Sequence, residues 1–206
     1  MRIEFLAPKP DRAGRHTLRF EDGTTLRLYR QTIEDFRLYA GAELTEDQLD
    51  ELRTAAGQMS AKMRAVRIIT ASSVSKRDLE ERLIRKGEQP EQAKEAVKWM
   101  ADLDLVDDEK TARQIASRCA SKGYGIARAK QALYEKRIPK EFWEDALADY
   151  PDQTEHIVNF LQTRLGDSWE ERDLKRAVDA LLRRGHSYGD VQRALRQLEV
   201  DDLQEE

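Results

Sequence analysis

Three stretches of this chain share one layout, and that repetition limits the folds open to it more than any single motif does. They are SKRDLEERLIRKGEQPEQAKEAVKWM from Ser75, GIARAKQALYEKRIPKEFWEDALADY from Gly125 and DLKRAVDALLRRGHSYGDVQRALRQL from Asp173. With Leu83, Leu133 and Leu181 in register, 50 and 48 residues apart, the helix ends Lys86-Gly87, Lys136-Arg137 and Arg184-Gly185 align. Each copy reads as an amphipathic helix ending in basic residues, which suit the negative end of the helix dipole, then a short turn and a second helix. Pro90 and Pro139 stand where a first helical residue would, and Ser187 with Asp190 forms a cap in the third copy. The second helices carry Ala93, Val97 and Met100, then Trp143, Ala146 and Leu147, then Val191, Leu195 and Leu198, each set on one face. A further helix precedes each pair, over 59–69, 111–121 and 154–165. A unit of three short helices buries little apolar surface alone. Neighbouring units must therefore pack, and an elongated array exposes a long surface instead of enclosing one pocket.

The first 30 residues follow a different period. HTLRF (16–20) and TLRLY (25–29) alternate apolar and polar residues around a turn containing Asp22-Gly23, the pattern of a β-hairpin, with a further strand over 3–6. From about Gln31 the period becomes helical, with Ile33, Phe36 and Leu38, and Thr45 with Gln48 forms a capping box ahead of Leu49 and Leu52. With 37% charged and 7% aromatic residues, long solvated helices are favoured over a sandwich or a deep-pocketed α/β enzyme. The expected fold is mainly α: tandem three-helix, helix-turn-helix-like repeats in an elongated array behind a small N-terminal β-hairpin region. The expected boundaries are 1–58 for that region and 59–108, 109–150 and 151–206 for the three repeats.

Little in the sequence points to catalysis. There is no nucleophile motif, and GYG at 123–125 lacks the third glycine and the preceding strand of a dinucleotide fingerprint. Gly123 is read as ending a helix and Gly125 as loosening the turn. Asp102, Asp104, Asp107 and Asp108 resemble a calcium loop only loosely, since Asp107 and Arg113 occupy the positions that need glycine and glutamate; helix capping before Glu109 explains them better. Cys119, the one cysteine, shares a helix face with Ala112, Ile115 and Ala116 and is read as buried. His186 is read as a packing residue in a turn, and Trp99, Trp143 and Trp169 as core. No catalytic residue, metal site or cofactor is expected. A lone cysteine, no signal-peptide stretch and no membrane-length apolar run point to the reducing cytoplasm.

Charge is where function shows. The chain carries a net −4, yet residues 110–140 hold nine basic residues against the single acid Glu135. Two readings stand: a solvated face balanced by Asp108, Glu109, Glu141 and Glu144, or a contact for phosphates or an acidic surface, with the amides near Gly125 adding to Arg128 and Lys130. No trio of base-reading side chains accompanies the repeats, so sequence-independent contact is favoured over a specific transcription regulator.

Taken together these residues resemble the RecX family of recombinase regulators. The resemblance rests on Ser75, Leu79 and LIRKG in the first repeat, LVDDEKTA (105–112) at the junction, KGYGIARAKQALYEKRI (122–138) in the second, LLRRGHSYGDV (181–191) in the third, and the hairpin followed by LYAGAEL (38–44). Departures are Asp104 where the family favours glycine, Thr111 for an aromatic, Ile126 for proline and His186 for phenylalanine. The resemblance implies a non-enzymatic, monomeric protein that binds the RecA recombinase, chiefly its filament on single-stranded DNA, and limits filament extension, ATPase activity and strand exchange in recombination, repair and the SOS response. DNA contact would be weak and independent of sequence. The expected contact residues are Arg128, Lys130, Lys136 and Arg137 first, then Lys86, Arg183 and Arg184 at equivalent positions, with Tyr124 packing on a partner. A helix-turn-helix transcription regulator and a protein-only helical scaffold remain alternatives.

Overall fold

The computed structural model describes residues 1–166 and 170–202, so Trp169 lies outside the described residues. The chain divides into two compact units, Met1–Val106 and Asp107–Glu206.

The first unit opens with β1 (Ile3–Leu6), β2 (Arg15–Phe20) and β3 (Thr25–Tyr29), an antiparallel sheet in the order β1-β2-β3. Alternation turns Leu18, Phe20 and Leu28 inward, where all three are fully buried. The hairpin closes as its sequence suggests: the Asp22 carboxylate accepts from the Thr24 amide (2.9 Å) and hydroxyl (2.8 Å), and Gly23 takes a φ of +84°. After α1 (Arg30–Asp35) comes α2 (Glu46–Ala71), a helix of 26 residues. Its capping box is complete: the Thr45 hydroxyl accepts from the Gln48 amide (3.2 Å), and the Gln48 side chain accepts from the Thr45 amide (3.0 Å).

Two cores share α2. Leu49 and Leu52 pack with Ile3, Leu18, Phe20, Leu28 and Leu38 under the sheet. Two turns further on, Ala61, Ala65 and Ile68 pack with Leu79 and Leu83 of α3 (Lys76–Arg85) and Ala93, Val97 and Met100 of α4 (Pro90–Asp102). The boundary expected at 58/59 therefore falls inside one continuous helix. No linker separates the sheet from the first helical triplet, because both bury apolar surface on opposite ends of the same element. Glu88, in the α3–α4 turn, is buried but paired: Arg64 Nε lies 2.5 Å and Ser60 Oγ 3.0 Å from its carboxylate, so α2 clamps that turn as well.

The second unit holds two further triplets. α5 (Asp108–Ser121) and α6 (Ile126–Glu135), with a 3-10 turn (Lys140–Phe142) leading into α7 (Trp143–Leu147), enclose Ala112, Ala116, Cys119, Ala129, Leu133 and Ile138. α8 (Thr154–Leu165), α9 (Glu171–Arg183) and α10 (Tyr188–Asp202) enclose Ile157, Leu161, Ala177, Leu181, Val191 and Ala194. Asp107 caps α5 by accepting from the Lys110 amide (3.0 Å), which accounts for the aspartate cluster. Pro90 is the first residue of α4, but Pro139 precedes a 3-10 turn instead of starting an α-helix, so the second helix of the middle triplet is only five residues long.

The helix-ending turns share one backbone pattern. After α3, α6 and α9 the residue in the left-handed region is Gly87 (φ +93°), Arg137 (φ +58°) and Gly185 (φ +87°). In each case the next amide reaches back to the register leucine: Glu88 to Leu83 (3.1 Å), Ile138 to Leu133 (3.1 Å) and His186 to Leu181 (3.2 Å). Asp104 (φ +55°) and Gly123 (φ +65°) end α4 and α5 in the same way, which explains why glycine suits position 104.

Gly125 has a different role from loosening its turn. Its backbone is extended (φ −73°, ψ 164°), a conformation any residue adopts. What requires glycine is proximity: a Cβ there would overlap the carbonyl of Gly185, and a Cβ on Gly185 would overlap the backbone of Arg128. The contact is a pair of hydrogen bonds, from the Gly125 amide to the Arg184 carbonyl (3.0 Å) and from the Ala127 amide to the Gly185 carbonyl (3.2 Å). Two otherwise unpaired amides at the start of α6 are thereby capped by the α9–α10 turn. Gly125→Ala should cost about 1–3 kcal/mol in urea unfolding, the range for overpacking, and should abolish hydrogen-exchange protection of the Gly125 and Ala127 amides. Gly87→Ala, in open space at positive φ, should leave those amides protected. Protection that survives Gly125→Ala would contradict this description of the seat.

Candidate functional site

The expected contact residues fall into distinct settings. Lys86 is the exposed C-cap of α3 in the first unit. The other seven belong to the second unit. Near the seat of α6 lie Arg128, Arg183 and Arg184. Arg128 is not a free cation, since its Nη1 is 3.1 Å from Glu135 Oε1, and bonds from Arg128 and Gln131 hold that carboxyl below its ordinary pKa. Arg184 holds its guanidinium 4.6 Å from the Phe160 ring centroid, a cation–π contact that orients it on α8. Arg183 is exposed.

At the far end of α6, a helix of ten residues and so roughly 15 Å long, Lys136 is the C-cap and Arg137 the exposed left-handed residue. Lys130 is exposed between the two ends. Tyr124 packs half-buried on the middle core, and its carbonyl accepts from the Tyr150 hydroxyl (2.7 Å). Burial pushes the Tyr150 phenol up to about 12, so that donor stays protonated. Tyr124 thus packs partly on its own core, and the more exposed aromatic of the stretch is Tyr134 at 58%. Sequence reasoning missed it, although the signal was available. Ile84, Tyr134 and Leu182 each follow the register leucine, and all three are exposed.

The remaining candidate groups are structural. Cys119 is buried, and burial pushes its thiol above the ordinary value, which keeps it protonated and a poor nucleophile. Trp99 is half-buried on the first core with Lys62 5.3 Å from its ring centroid. Among the described residues no group of three His, Cys, Asp or Glu is placed to hold a metal ion, and no helix is long and apolar enough to cross a membrane.

His186 is buried in the α9–α10 turn with Nε2 3.0 Å from the Gly123 carbonyl. A carbonyl only accepts, so Nε2 carries the proton and Nδ1 is bare in the neutral ring. Burial depresses its pKa, with Arg184 and His156 acting in the same direction, while the bond to Gly123 and the Asp190 carboxylate act against them. The unfolded chain therefore takes up a proton that the folded one resists. Stability is full above the unfolded value of about 6.5 and is lost as pH falls below it. Urea midpoints should drop between pH 7.5 and 5.5, and His186→Gln should remove most of that drop. An unchanged drop in His186→Gln would contradict the assignment.

Comparison with known proteins brings these observations together. No family model matches the chain. Over 194 residues, 92% of this chain and 75% of the relative, it is 24% identical to the regulatory protein RecX of Streptococcus gordonii. Over 137 residues, 65% of this chain and 84% of the relative, it is 28% identical to the regulatory protein RecX of Xanthomonas axonopodis pv. citri. The crystal structure of a regulatory protein RecX superposes with a TM-score of 0.65 at 20% identity, covering 93% of this chain and 97% of that one. A second, of RecX from Lactobacillus salivarius, gives 0.62 at 22% identity over 71% of this chain and 99% of that one. Sequence relatives and fold neighbours agree: this chain resembles the RecX regulatory proteins.

Proposed function

We propose that this chain is a non-enzymatic modulator of the RecA recombinase that acts in the cytoplasm as a monomer. It binds the RecA filament on single-stranded DNA and restrains ATP hydrolysis, filament extension and strand exchange. The observation that carries this reading is the similarity to regulatory RecX proteins over 92% of the chain. The cationic settings of the second unit support it: Lys130 is exposed, Lys136 and Arg137 stand at one end of α6, and Arg183 and Arg184 stand beside the other.

In this reading Lys130, Lys136 and Arg137 make the principal contacts, and Lys86, Arg183 and Arg184 make the outlying ones. Arg128 joins them from its exposed pair with Glu135. Tyr124 holds the turn in place and offers the exposed part of its ring to the partner. Point cations spread along a helix give affinity without base selection, and their contribution falls with salt.

The test is titration of the chain into RecA hydrolysing ATP on single-stranded DNA. The chain should inhibit at ratios well below one per recombinase. Lys136→Glu combined with Arg137→Glu should raise the inhibitory concentration by about tenfold and flatten its logarithmic salt dependence by roughly 0.7 for each phosphate no longer neutralised. No inhibition at equimolar ratio would overturn the recombinase reading. Full potency in the double variant would overturn the assigned contacts.

A further inference from the structure

The basic stretch is not a uniform stripe. Between α6 and α7 lies an open groove of about 510 Å³ lined by Ile126, Lys130, Lys140, Trp143, Glu144 and Leu147, within the ~300–1,000 Å³ usual for ligand sites. Its floor is apolar. Trp143 is held in place by its indole N–H, which donates to the Ile138 carbonyl (3.1 Å), and Leu147 is buried beside it. Ile126 leaves 43% of its surface exposed on the α6 wall, one helical turn from Lys130. Lys130 and Lys140 enter none of the ion pairs found among the described residues.

The lining discriminates between occupants. Nucleic-acid grooves rely on aromatic platforms for successive bases and on arginine forks for phosphates. Here the walls are largely aliphatic, they hold a single aromatic ring, and the cations are lysines. Apolar side chains flanked by carboxylates match the aliphatic walls and the two lysines, and Glu144 directs those carboxylates toward Lys130 and Lys140 and away from itself. We propose that the α6–α7 groove docks a short acidic and aliphatic segment of a protein partner. Aliphatic side chains would lie on Trp143, Leu147 and Ile126, and carboxylates would reach Lys130 and Lys140. This rests on the reading of the chain as a regulator of a protein partner and assigns the protein-contacting part of its basic 110–140 stretch, leaving DNA to the cations outside the groove.

The test follows the Trp143 indole N–H resonance of the full chain, assigned with Trp143→Phe, against three probes: a capped leucine–glutamate peptide, the same peptide with lysine for glutamate, and a short oligo-dT. The acidic peptide should shift the resonance saturably. Ile126→Asp should weaken that binding by about tenfold, the scale of losing one apolar anchor. Lys130→Glu with Lys140→Glu should reverse the preference to the lysine peptide. A shift by oligo-dT and not by the acidic peptide would overturn the proposal in favour of nucleic acid. No shift by either, or a preference unmoved by charge reversal, would also overturn it. Because no recombinase is present, a positive result here beside a failed ATPase titration would retain the groove and discard the partner, and the converse would discard the groove alone.

Discussion

The second unit is organised by two backbones meeting where side chains would ordinarily keep them apart. The first amides of α6 donate to the carbonyls of Arg184 and Gly185, and that approach exists only because neither Gly125 nor Gly185 has a Cβ. Helix N-termini need partners for their first amides, and most obtain them from a local side chain. Here the partner is a turn some 60 residues away in sequence. The direction of α6 is therefore fixed by the α9–α10 turn, and with it the placement of Lys130 and Lys136 and the α6 wall of the groove. His186 extends the same contact by bonding the Gly123 carbonyl, so the turn holds both sides of the Gly-Tyr-Gly segment.

Equivalent positions around the repeated turn have been filled with different chemistry. The residue after the left-handed position is buried in every copy, as Glu88, Ile138 and His186. Glu88 needs Arg64 and Ser60, Ile138 needs only the middle core, and His186 needs a carbonyl acceptor. The left-handed residue itself is glycine twice and Arg137 once. A side chain there costs on the order of 1 kcal/mol, so the middle copy gives up stability to keep a cation at the end of α6.

Much of the fold was legible in the sequence because its signals are local. Alternation around Asp22-Gly23 marked the hairpin, Thr45 and Gln48 marked the start of α2, and the leucine register found the three turns. The seat at Gly125 was not legible, since a glycine needed for close approach looks the same in sequence as one needed for a positive φ. Nor was the continuity of α2 through residue 58, because a helix shared by two cores carries no boundary signal to read. The cationic residues were found by composition, but their differences were not: Arg128 is paired with Glu135, Tyr124 packs partly on the core, and Tyr134 is the more exposed ring. The groove depends on Ile126 and Trp143 being brought together by packing, which no spacing along the chain announces.

In the proposed function, the local cationic stretch around α6, oriented by its glycine seat, is what this chain presents to its partner. Hydrogen–deuterium exchange of the chain alone and with RecA filaments on single-stranded DNA tests that most directly. Slower exchange in α6, in the 3-10 turn at 140–142 and in the turn at 183–186 is the predicted result. Slowing confined to β1–β3 and α2, with α6 unchanged, would contradict it.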